Sequence, residues 1–338
     1  MRFKELGKSG IKVSAIAVGS WALGGGPAWG DNDEKQSIAA LHSAFDHGIN
    51  LVDTAPTYGL GLSETIVGKA LQGRRDKVVL ATKCGLGLDK PGGTQRVNRG
   101  EYESIMSQVE ESLTRLNTDY IDLYQIHWPD YLTPIDETMA ALVKLKEQGK
   151  IRAIGVSNFD EALLAAAMDC GQIDCQQPQY SLLHTVNEPI MEFGAERGVG
   201  VLSYGSLGSG VLSGKYKEKP VFPQGDARNA MYAPFFQEPM WTKITQLLDV
   251  LRQIAQAHEV LVGQVAINWS LKHPYMTAAL VGVRTPEQAA QNAAAGDWEL
   301  TDEEFATINA AHTKIFGGGL LGKRATWPGV RRKKFQRD

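Results

Sequence analysis

Eight short apolar runs alternate with stretches of helical spacing along almost the whole chain. The runs cover residues 15–20, 50–55, 78–83, 121–127, 151–158, 175–181, 199–206 and 277–283. Between them, segments such as 34–48 and 102–116 place apolar residues on one helical face. Strands that alternate with helices form parallel sheets, and runs this apolar are typical of sheets covered on both faces. Eight units therefore predict a (β/α)8 TIM barrel in the α/β class.

The alternative architecture is an open, doubly wound sheet. Its dinucleotide fingerprint, G-x-G-x-x-G after the first strand, is missing, and the glycines at 24–26 have the wrong spacing. A barrel needs about 250 residues, so a chain of 338 leaves room for insertions. We expect one domain over 1–338, with an N-terminal hairpin at 3–16 closing the barrel floor, extra C-terminal helices and a basic tail at 317–338.

Two long insertions, 84–100 and 207–240, are rich in glycine, proline and polar residues. We expect both to be loops over the active face of the barrel, because connections of this kind usually lie at the surface and carry function.

Composition excludes several classes of function. A formal net charge of -3 gives no overall basic field for nucleic acid. The N-terminal residues are polar, and no apolar run approaches the roughly 18 residues that a membrane helix needs. The three cysteines, Cys84, Cys170 and Cys175, lack metal-ligand spacing. We expect a cytoplasmic protein without metal, membrane or nucleic-acid partners, in which Cys84 is a small buried packing residue.

Polar side chains recur at the carboxyl ends of the predicted strands. They are Asp53, Lys83, His127, Asn158, Gln179 and Tyr204. One such residue alone is best explained as a satisfied polar group at a strand end. Repetition on several strands favours an active site, because barrel active sites lie at this end.

Four residues in this set or beside it have complementary acid–base chemistry. Tyr58, on the loop after the second strand, can donate a proton, and a neighbouring Lys83 ammonium would stabilise its ionised form. Asp53 would keep that lysine charged and oriented. His127 could donate a hydrogen bond to a carbonyl oxygen and stabilise the alkoxide that forms when hydride arrives.

The last two strands are followed by candidate phosphate sites. Gly205, Gly208 and Gly210 would let backbone amides approach a pyrophosphate, and Ser206 adds a hydroxyl. Arg284 precedes the N-terminus of a predicted helix, where its guanidinium could hold a second phosphate. Two phosphate sites fit a dinucleotide that carries a 2′-phosphate.

Five ordered motifs resemble one family. They are DTAPTYG at 53–59, ATK at 81–83, DLYQIHWPD at 122–130, IRAIGVSNF at 151–159 and Q-x-x-YS at 177–181. The chain resembles the aldo-keto reductases from about residue 4 to about residue 313. The resemblance implies that Tyr58 is the proton donor, that Lys83 and Asp53 tune it, and that His127 orients the carbonyl.

The resemblance also implies a set of cofactor contacts. Ser157, Asn158 and Gln179 would hold the nicotinamide amide, and Tyr204 would stack on its ring. Gly205, Ser206, Leu207, Gly208 and Gly210 would run along the pyrophosphate. The remaining contacts are Trp21, Asp53, Gly282, Arg284, Gln288, Gln291 and Asn292, of which Gln291 stands where the family often has glutamate. Arg284 favours NADPH/NADP+ over NADH.

The implied substrate is a small carbonyl compound, with sugar-derived compounds included, that is reduced by hydride transfer. Flat aromatic walls suit the apolar faces of sugars, and the residues expected at the entrance are Trp21, Trp29, Tyr58, His127 and Trp128. The motif forms are similar to those of the sugar and polyol, stress and potassium-channel β-subunit branches. The alternatives are a cofactor-sensing regulatory subunit and a cofactor-free barrel such as a sugar-phosphate isomerase or aldolase.

The C-terminal segment departs from the common family pattern. It carries Lys323, Arg324, Arg331, Arg332, Lys333, Lys334 and Arg337. A solvated tail is the plain interpretation. The alternative hypothesis is that it packs on a neighbouring subunit of a homo-oligomer, or that it reaches over the pocket and attracts an anionic substrate.

Overall fold

A closed ring of eight parallel strands forms the centre of the computed structural model, which describes residues 1–88 and 96–324. The ring strands are β3 (Ile16–Gly19), β4 (Leu51–Asp53), β5 (Val79–Leu88), β7 (Ile121–Ile126), β8 (Ile151–Ser157), β9 (Cys175–Gln177), β10 (Gly200–Ser203) and β11 (Ala278–Gly282). β4 pairs with both β3 and β5, and this double pairing closes the ring. The predicted barrel is confirmed, and the open sheet is excluded.

An antiparallel hairpin, β1 (Phe3–Glu5) and β2 (Lys12–Ser14), precedes the barrel. Its buried residues Leu6, Ile11 and Val13 pack in one cluster with inward-facing barrel residues such as Ala17 and Leu123. The hairpin lies at the amino ends of the strands, since Lys4 Nζ donates to Met276 just before β11. The expected closure of the barrel floor is therefore present.

Helices surround the barrel in chain order. They are α1 (Glu34–Asp46), α2 (Leu62–Ala70), α3 (Tyr102–Leu116), α4 (Ile135–Glu147), α5 (Glu161–Cys170), α6 (Glu188–Ala195), α7 (Met240–Ala257), α8 (Val262–Lys272), α9 (Pro286–Ala294) and α10 (Asp302–Phe316). α1 packs on both α2 and α9, which continues the ring around the closing strands. α7 and α10 pack on each other and are the extra helices.

Alternation along the strands divides the barrel interior into an apolar part and a polar part. Leu51, Ala81, Leu123 and Cys175 face inward and belong to the apolar interior cluster. Because side chains alternate across a strand, the residues two positions further on also face inward. These are Asp53, Lys83, Gln125 and Gln177, all buried. The sequence period therefore places a polar layer directly above the apolar one, toward the carboxyl ends.

The expectation that 84–100 is a loop is wrong for its two ends. β5 continues to Leu88 and pairs antiparallel with β6 (Arg96–Arg99), in a register that joins Gly85 to Arg99. Cys84, Leu86 and Val97 are buried, so the apolar residues of CGLGL extend the strand beyond the barrel. The burial of Cys84 agrees with its predicted packing role. The other insertion, 207–240, contains only short 3-10 turns and is the expected loop.

The C-terminal tail is described as far as Arg324, and this part packs against its own chain. Leu321 accepts hydrogen bonds from the amides of Thr185 and Val186. Arg324 forms a bidentate pair with Glu161 at 2.5 and 2.6 Å. These contacts give no support to the hypothesis of docking on a neighbouring subunit, and Arg331, Arg332, Lys333, Lys334 and Arg337 lie outside the described residues. Over the ranges described, no helix is long and apolar enough to span a membrane.

Four histidines predict acid sensitivity of the fold. Burial is the first cause that lowers the pKa of His127, His184, His273 and His312. The folded chain therefore binds these protons at a lower pH than the unfolded chain, in which histidine titrates near about pH 6.5. Because the unfolded state then binds more protons, stability is present above that pH and is lost as the pH falls.

We expect the free energy of unfolding to decrease between pH 7.5 and 5.5, by up to about 1.4 kcal/mol per pH unit for each proton taken up. Urea unfolding at fixed ionic strength measures this slope. His273→Gln should reduce this slope, because it removes one of the four groups that take up a proton on unfolding. A stability that is constant or rises over this interval would contradict the prediction.

Candidate active site

The inward-facing polar layer contains a buried ion pair. Lys83 Nζ donates to Asp53 Oδ2 at 2.5 Å and to the Thr54 carbonyl at 2.9 Å. It also donates to the Tyr58 hydroxyl at 3.3 Å. Asp53 ends β4, Lys83 lies within the adjacent β5, and Tyr58 follows on the β4–α2 loop. The structure thus brings together Asp53, Lys83 and Tyr58, three of the four residues predicted to react. Lys83 contacts both of the others, as the sequence predicted.

Two glutamines hold the other side of the Asp53 carboxylate, and the sequence analysis missed them. Gln125 Nε2 and Gln177 Nε2 donate to Asp53 Oδ1 at 3.0 and 2.9 Å. Both follow an inward-facing residue, Leu123 or Cys175, by two positions. Strand alternation could therefore have found them. With Lys83 on one oxygen and two amides on the other, the carboxylate has fixed position and compensated charge.

His127 directly follows β7 and faces Tyr58 edge to face, with ring centroids 5.8 Å apart. Burial, followed by the charges of Lys83 and Arg96, lowers the pKa of His127 well below its usual value. The imidazole is therefore neutral, and it can donate one hydrogen bond without carrying a charge. This completes the predicted cluster around the Tyr58 ring.

The pKa of Tyr58 differs in direction from the sequence expectation. Burial, and then the negative charge of Asp53, raise the pKa of Tyr58 well above its usual value, while Arg96 lowers it. Burial is the largest of these causes, and it outweighs the lowering that the sequence predicted from the Lys83 ammonium. Burial lowers the pKa of Lys83 too, opposed by Asp53. Tyr58 consequently stays protonated, as a proton donor must be before it reacts.

The five predicted entrance residues form one chain of aromatic rings. Trp29 contacts Trp21 edge to face at 5.1 Å between centroids, and Trp21 lies 6.1 Å from Tyr58. His127 in turn stacks with Trp128 at 6.5 Å. The rings come from three different loops at the carboxyl ends of the strands. They form a continuous aromatic wall that contains the Tyr58 hydroxyl.

Two glycines explain how the Trp21 and Tyr58 loops meet. A Cβ on Gly24 would lie 2.7 Å from the backbone of Tyr58 and Gly59, and a Cβ on Gly59 would lie 2.2 Å from the Gly24 carbonyl oxygen. Gly59 also has φ +62°, a region that side chains rarely adopt. Close backbone contact at this point fixes the distance between the Trp21 and Tyr58 rings.

The predicted nicotinamide contacts form a connected group. Asn158, with φ +60°, donates to the His127 carbonyl at 3.1 Å and to Ser157 Oγ at 3.0 Å. The Tyr204 hydroxyl donates to Asn158 Oδ1 at 2.8 Å. Gln179 pairs with Tyr204 through a backbone bridge. These residues lie at or just after the carboxyl ends of β8, β9 and β10, and Asn158 joins the group to His127.

The predicted pyrophosphate loop, which comprises Gly205, Ser206, Leu207, Gly208 and Gly210, has the backbone of an anion cradle. Its three glycines have positive φ, as does Ser209, at +58°, whose hydroxyl is buried without a partner in the described chain. Ser206 Oγ donates to Leu280 instead. Lys215 Nζ lies 3.5 Å from the Cβ position of Gly210. Lys215 was not among the residues predicted from the sequence, although GK follows the glycine pattern at 214–215.

The second predicted phosphate site surrounds the start of α9. Arg284 donates to the carbonyl oxygens of Trp29 at 2.9 Å and Asp31 at 2.5 Å, and its amide donates to Gln288. Thr285 caps the helix by accepting from the Gln288 amide. Asn292 donates to Gly282, and Gln291 is exposed on the same helix. The predicted residues are together, and Arg284 also connects them to the loop that carries Trp29.

Comparison with known proteins agrees with this architecture. The Aldo/keto reductase family matches residues 15–313. The aldo-keto reductase YhdN of Bacillus subtilis is 40% identical over 91% of this chain and 93% of its own length. An NADH-specific methylglyoxal reductase of Escherichia coli is 37% identical over 90% of this chain and 96% of its own.

Solved structures show the same relationship. A glycerol dehydrogenase from Gluconobacter oxydans superposes with a TM-score of 0.84, at 35% identity, over 94% of this chain and 96% of the other. An aldo-keto reductase from Klebsiella pneumoniae in complex with NADP has a TM-score of 0.73 at 27% identity, over 96% and 99%. The motifs, the barrel and these matches together place the chain in the aldo/keto reductase family of oxidoreductases.

Proposed function

We propose that this protein is an NADPH-dependent reductase that converts aldehyde and ketone carbonyls, including sugar-derived ones, to alcohols. The observation that carries the proposal is the Tyr58 hydroxyl, held 3.3 Å from Lys83 Nζ within the aromatic wall. Tyr58 gives the proton, Lys83 and Asp53 set its properties, and His127 places the carbonyl. The relatives from E. coli and G. oxydans are named for methylglyoxal and glycerol, which are both small oxygenated molecules.

The residues present fit a dinucleotide. The positive-φ glycines, the unpartnered Ser209 hydroxyl and the Lys215 ammonium suit a pyrophosphate, which needs close donors and positive charge. Asn158 and Tyr204 lie beside His127, where an amide group and a flat ring would be held. When bound, the reduced nicotinamide supplies the hydride. The chain's own residues supply orientation and the proton.

The proton step follows from the charges in the site. The carbonyl oxygen of the substrate, held between Tyr58 and His127, becomes an alkoxide as hydride reaches its carbon. The neutral imidazole donates a hydrogen bond to that oxygen, and the Tyr58 O–H proton moves onto it. The tyrosinate left behind accepts a hydrogen bond from Lys83 Nζ, which Asp53 keeps charged. In the reverse direction the same tyrosinate takes the proton back.

The proposal of an enzyme is tested by measuring whether the protein catalyses more than one turnover. We expect steady oxidation of NADPH, followed by absorbance, with methylglyoxal, glyceraldehyde and aromatic aldehydes. A probable potassium-channel β-subunit of Arabidopsis thaliana is 30% identical over 88% of this chain and 92% of its own length, and it motivates the alternative of a cofactor-sensing regulatory subunit. A single, slow oxidation of bound NADPH without further turnover would favour that alternative.

The cofactor preference depends on Arg284. Its guanidinium has only main-chain carbonyl partners, and it forms no ion pair within the described residues, so it can pair with a 2′-phosphate. We expect Arg284→Ala to raise the Kd of NADPH by about tenfold to a hundredfold, as for one charge-assisted contact, and that of NADH by less than about threefold. Quenching of tryptophan fluorescence measures both constants.

Arg197→Ala is the matched control, because it removes an exposed arginine between α6 and the amino end of β10, whereas the predicted cofactor contacts lie at the carboxyl ends of the strands. Loss of the Trp29 and Asp31 contacts would weaken both nucleotides equally, so the ratio of the two Kd values isolates the phosphate. If the unmodified protein binds NADH as tightly as NADPH, the NADPH preference is wrong.

A further inference from the structure

Arg96 reaches the reacting cluster from a strand outside the barrel. It lies on β6, opposite Leu88 at the outer end of β5, the strand that also contains Lys83. Its Nη2 donates to the Thr57 carbonyl at 2.7 Å, directly before Tyr58 in the chain. The side chain is half-buried. The fold therefore aims a guanidinium at the loop that carries the predicted proton donor.

The charge of Arg96 is not balanced by the cluster. Burial lowers the pKa of Arg96, and among the ionisable groups of the described residues only Tyr58 counteracts this. Asp53 and Lys83 neutralise each other at 2.5 Å, while Tyr58 and His127 are uncharged. Within the described residues Arg96 forms no ion pair. Among the residues that the structure describes, a net positive charge therefore lies beside Tyr58 and His127, the two groups that would hold a substrate oxygen.

A guanidinium has five N–H donors, and Thr57 takes one. The remaining donors are suited to a planar or tetrahedral oxyanion, which arginine binds through two parallel hydrogen bonds. We propose that Arg96 is a specificity-determining residue that binds an anionic group, carboxylate or phosphate, on the carbonyl substrate held above Tyr58. This inference rests on the proposed reductase function and names the substrate class within it.

The test compares matched pairs of aldehydes with and without an anionic group. The pairs are 4-oxobutanoate with butanal, and glyceraldehyde 3-phosphate with glyceraldehyde. We expect Arg96→Gln to lower kcat/KM for at least one anionic member by about tenfold to a hundredfold, mainly through KM. The uncharged members should change by less than about threefold. Arg96→Lys keeps the positive charge but cannot form two parallel hydrogen bonds, so it should retain part of the preference for the anionic substrates.

Arg99→Gln is the control. Arg99 lies three positions along β6, and side chains an odd number of positions apart face opposite sides of a strand. The Arg99→Gln substitution removes one positive charge from the same strand. It should leave the ratio of kcat/KM for the anionic substrate to kcat/KM for the uncharged one unchanged.

Three results would overturn the inference. If Arg96→Gln lowers kcat/KM equally for both members of each pair, Arg96 only positions the Tyr58 loop through Thr57. If neither member changes, Arg96 has no role in recognition. If the unmodified protein reduces none of the aldehydes, the proposed function fails separately.

Calorimetry then tests the inference without turnover. We expect 4-carboxybenzyl alcohol to bind more tightly than benzyl alcohol, and Arg96→Gln to remove this difference in affinity. Equal binding of the two alcohols to the unmodified protein would contradict the inference.

Discussion

Tyr58→Phe is expected to lower kcat for carbonyl reduction by about a hundredfold to ten-thousandfold while NADPH binds almost as before. The substitution removes only the hydroxyl that accepts from Lys83 at 3.3 Å, and general acid catalysis contributes about this much. The ring that contacts Trp21 and His127 remains. The predicted cofactor contacts other than Asp53 belong to other strands and loops, and the substitution leaves Asp53 in place, so we expect NADPH to keep its contacts. Single-turnover oxidation of NADPH and fluorescence quenching measure the two effects separately.

Tyr275→Phe provides the comparison, since it deletes a tyrosine hydroxyl that donates to Glu192 near the amino end of β11. Its kcat should stay within about twofold of the unmodified value. Near-normal turnover of Tyr58→Phe would remove Tyr58 from its proposed role. A large loss of NADPH affinity in the same variant would instead assign the hydroxyl to the cofactor site.

The sequence could predict the barrel and most of the site because both depend on strand period. Once eight strands alternate with helices, their carboxyl ends must meet, so Asp53, Lys83 and His127 converge without any knowledge of the loops. The same period applied to inward-facing positions would have found Gln125 and Gln177 as well. The sequence contained the information needed to find these two glutamines, because it shows which strand positions face inward.

Other features depend on contacts between distant loops, which local patterns do not encode. Two examples are the close approach of Gly24 and Gly59 and the extension of β5 into a hairpin with β6. In both, the sequence of each segment gives no indication of which other segment it contacts. Arg96 reaches the Thr57 carbonyl only because of that hairpin. The direction of the Tyr58 pKa shift was also out of reach, because it depends first on how deeply the packed loops bury the hydroxyl.

Lys83→Met is expected to destabilise the fold by about 3–5 kcal/mol and to abolish turnover. The lysine and its partner Asp53 are almost fully buried, at 1% and 3% side-chain exposure. Removing one member leaves a buried carboxylate without its counter-charge, which costs far more than the pair contributes. The two glutamine amides on Oδ1 remain, but they do not replace a charge. Urea unfolding and NADPH oxidation measure the two losses.

The double variant Lys83→Met with Asp53→Asn separates stability from catalysis. An asparagine at this position keeps an oxygen that accepts from Gln125 and Gln177, and it carries no charge to leave unpaired. We therefore expect it to recover about half or more of the stability lost in Lys83→Met, since buried partners couple strongly. Turnover should not return, because no ammonium is left to stabilise a tyrosinate at Tyr58. Additive destabilisation would show that the pair does not interact as the 2.5 Å contact requires. Recovered turnover would show that catalysis does not depend on Lys83.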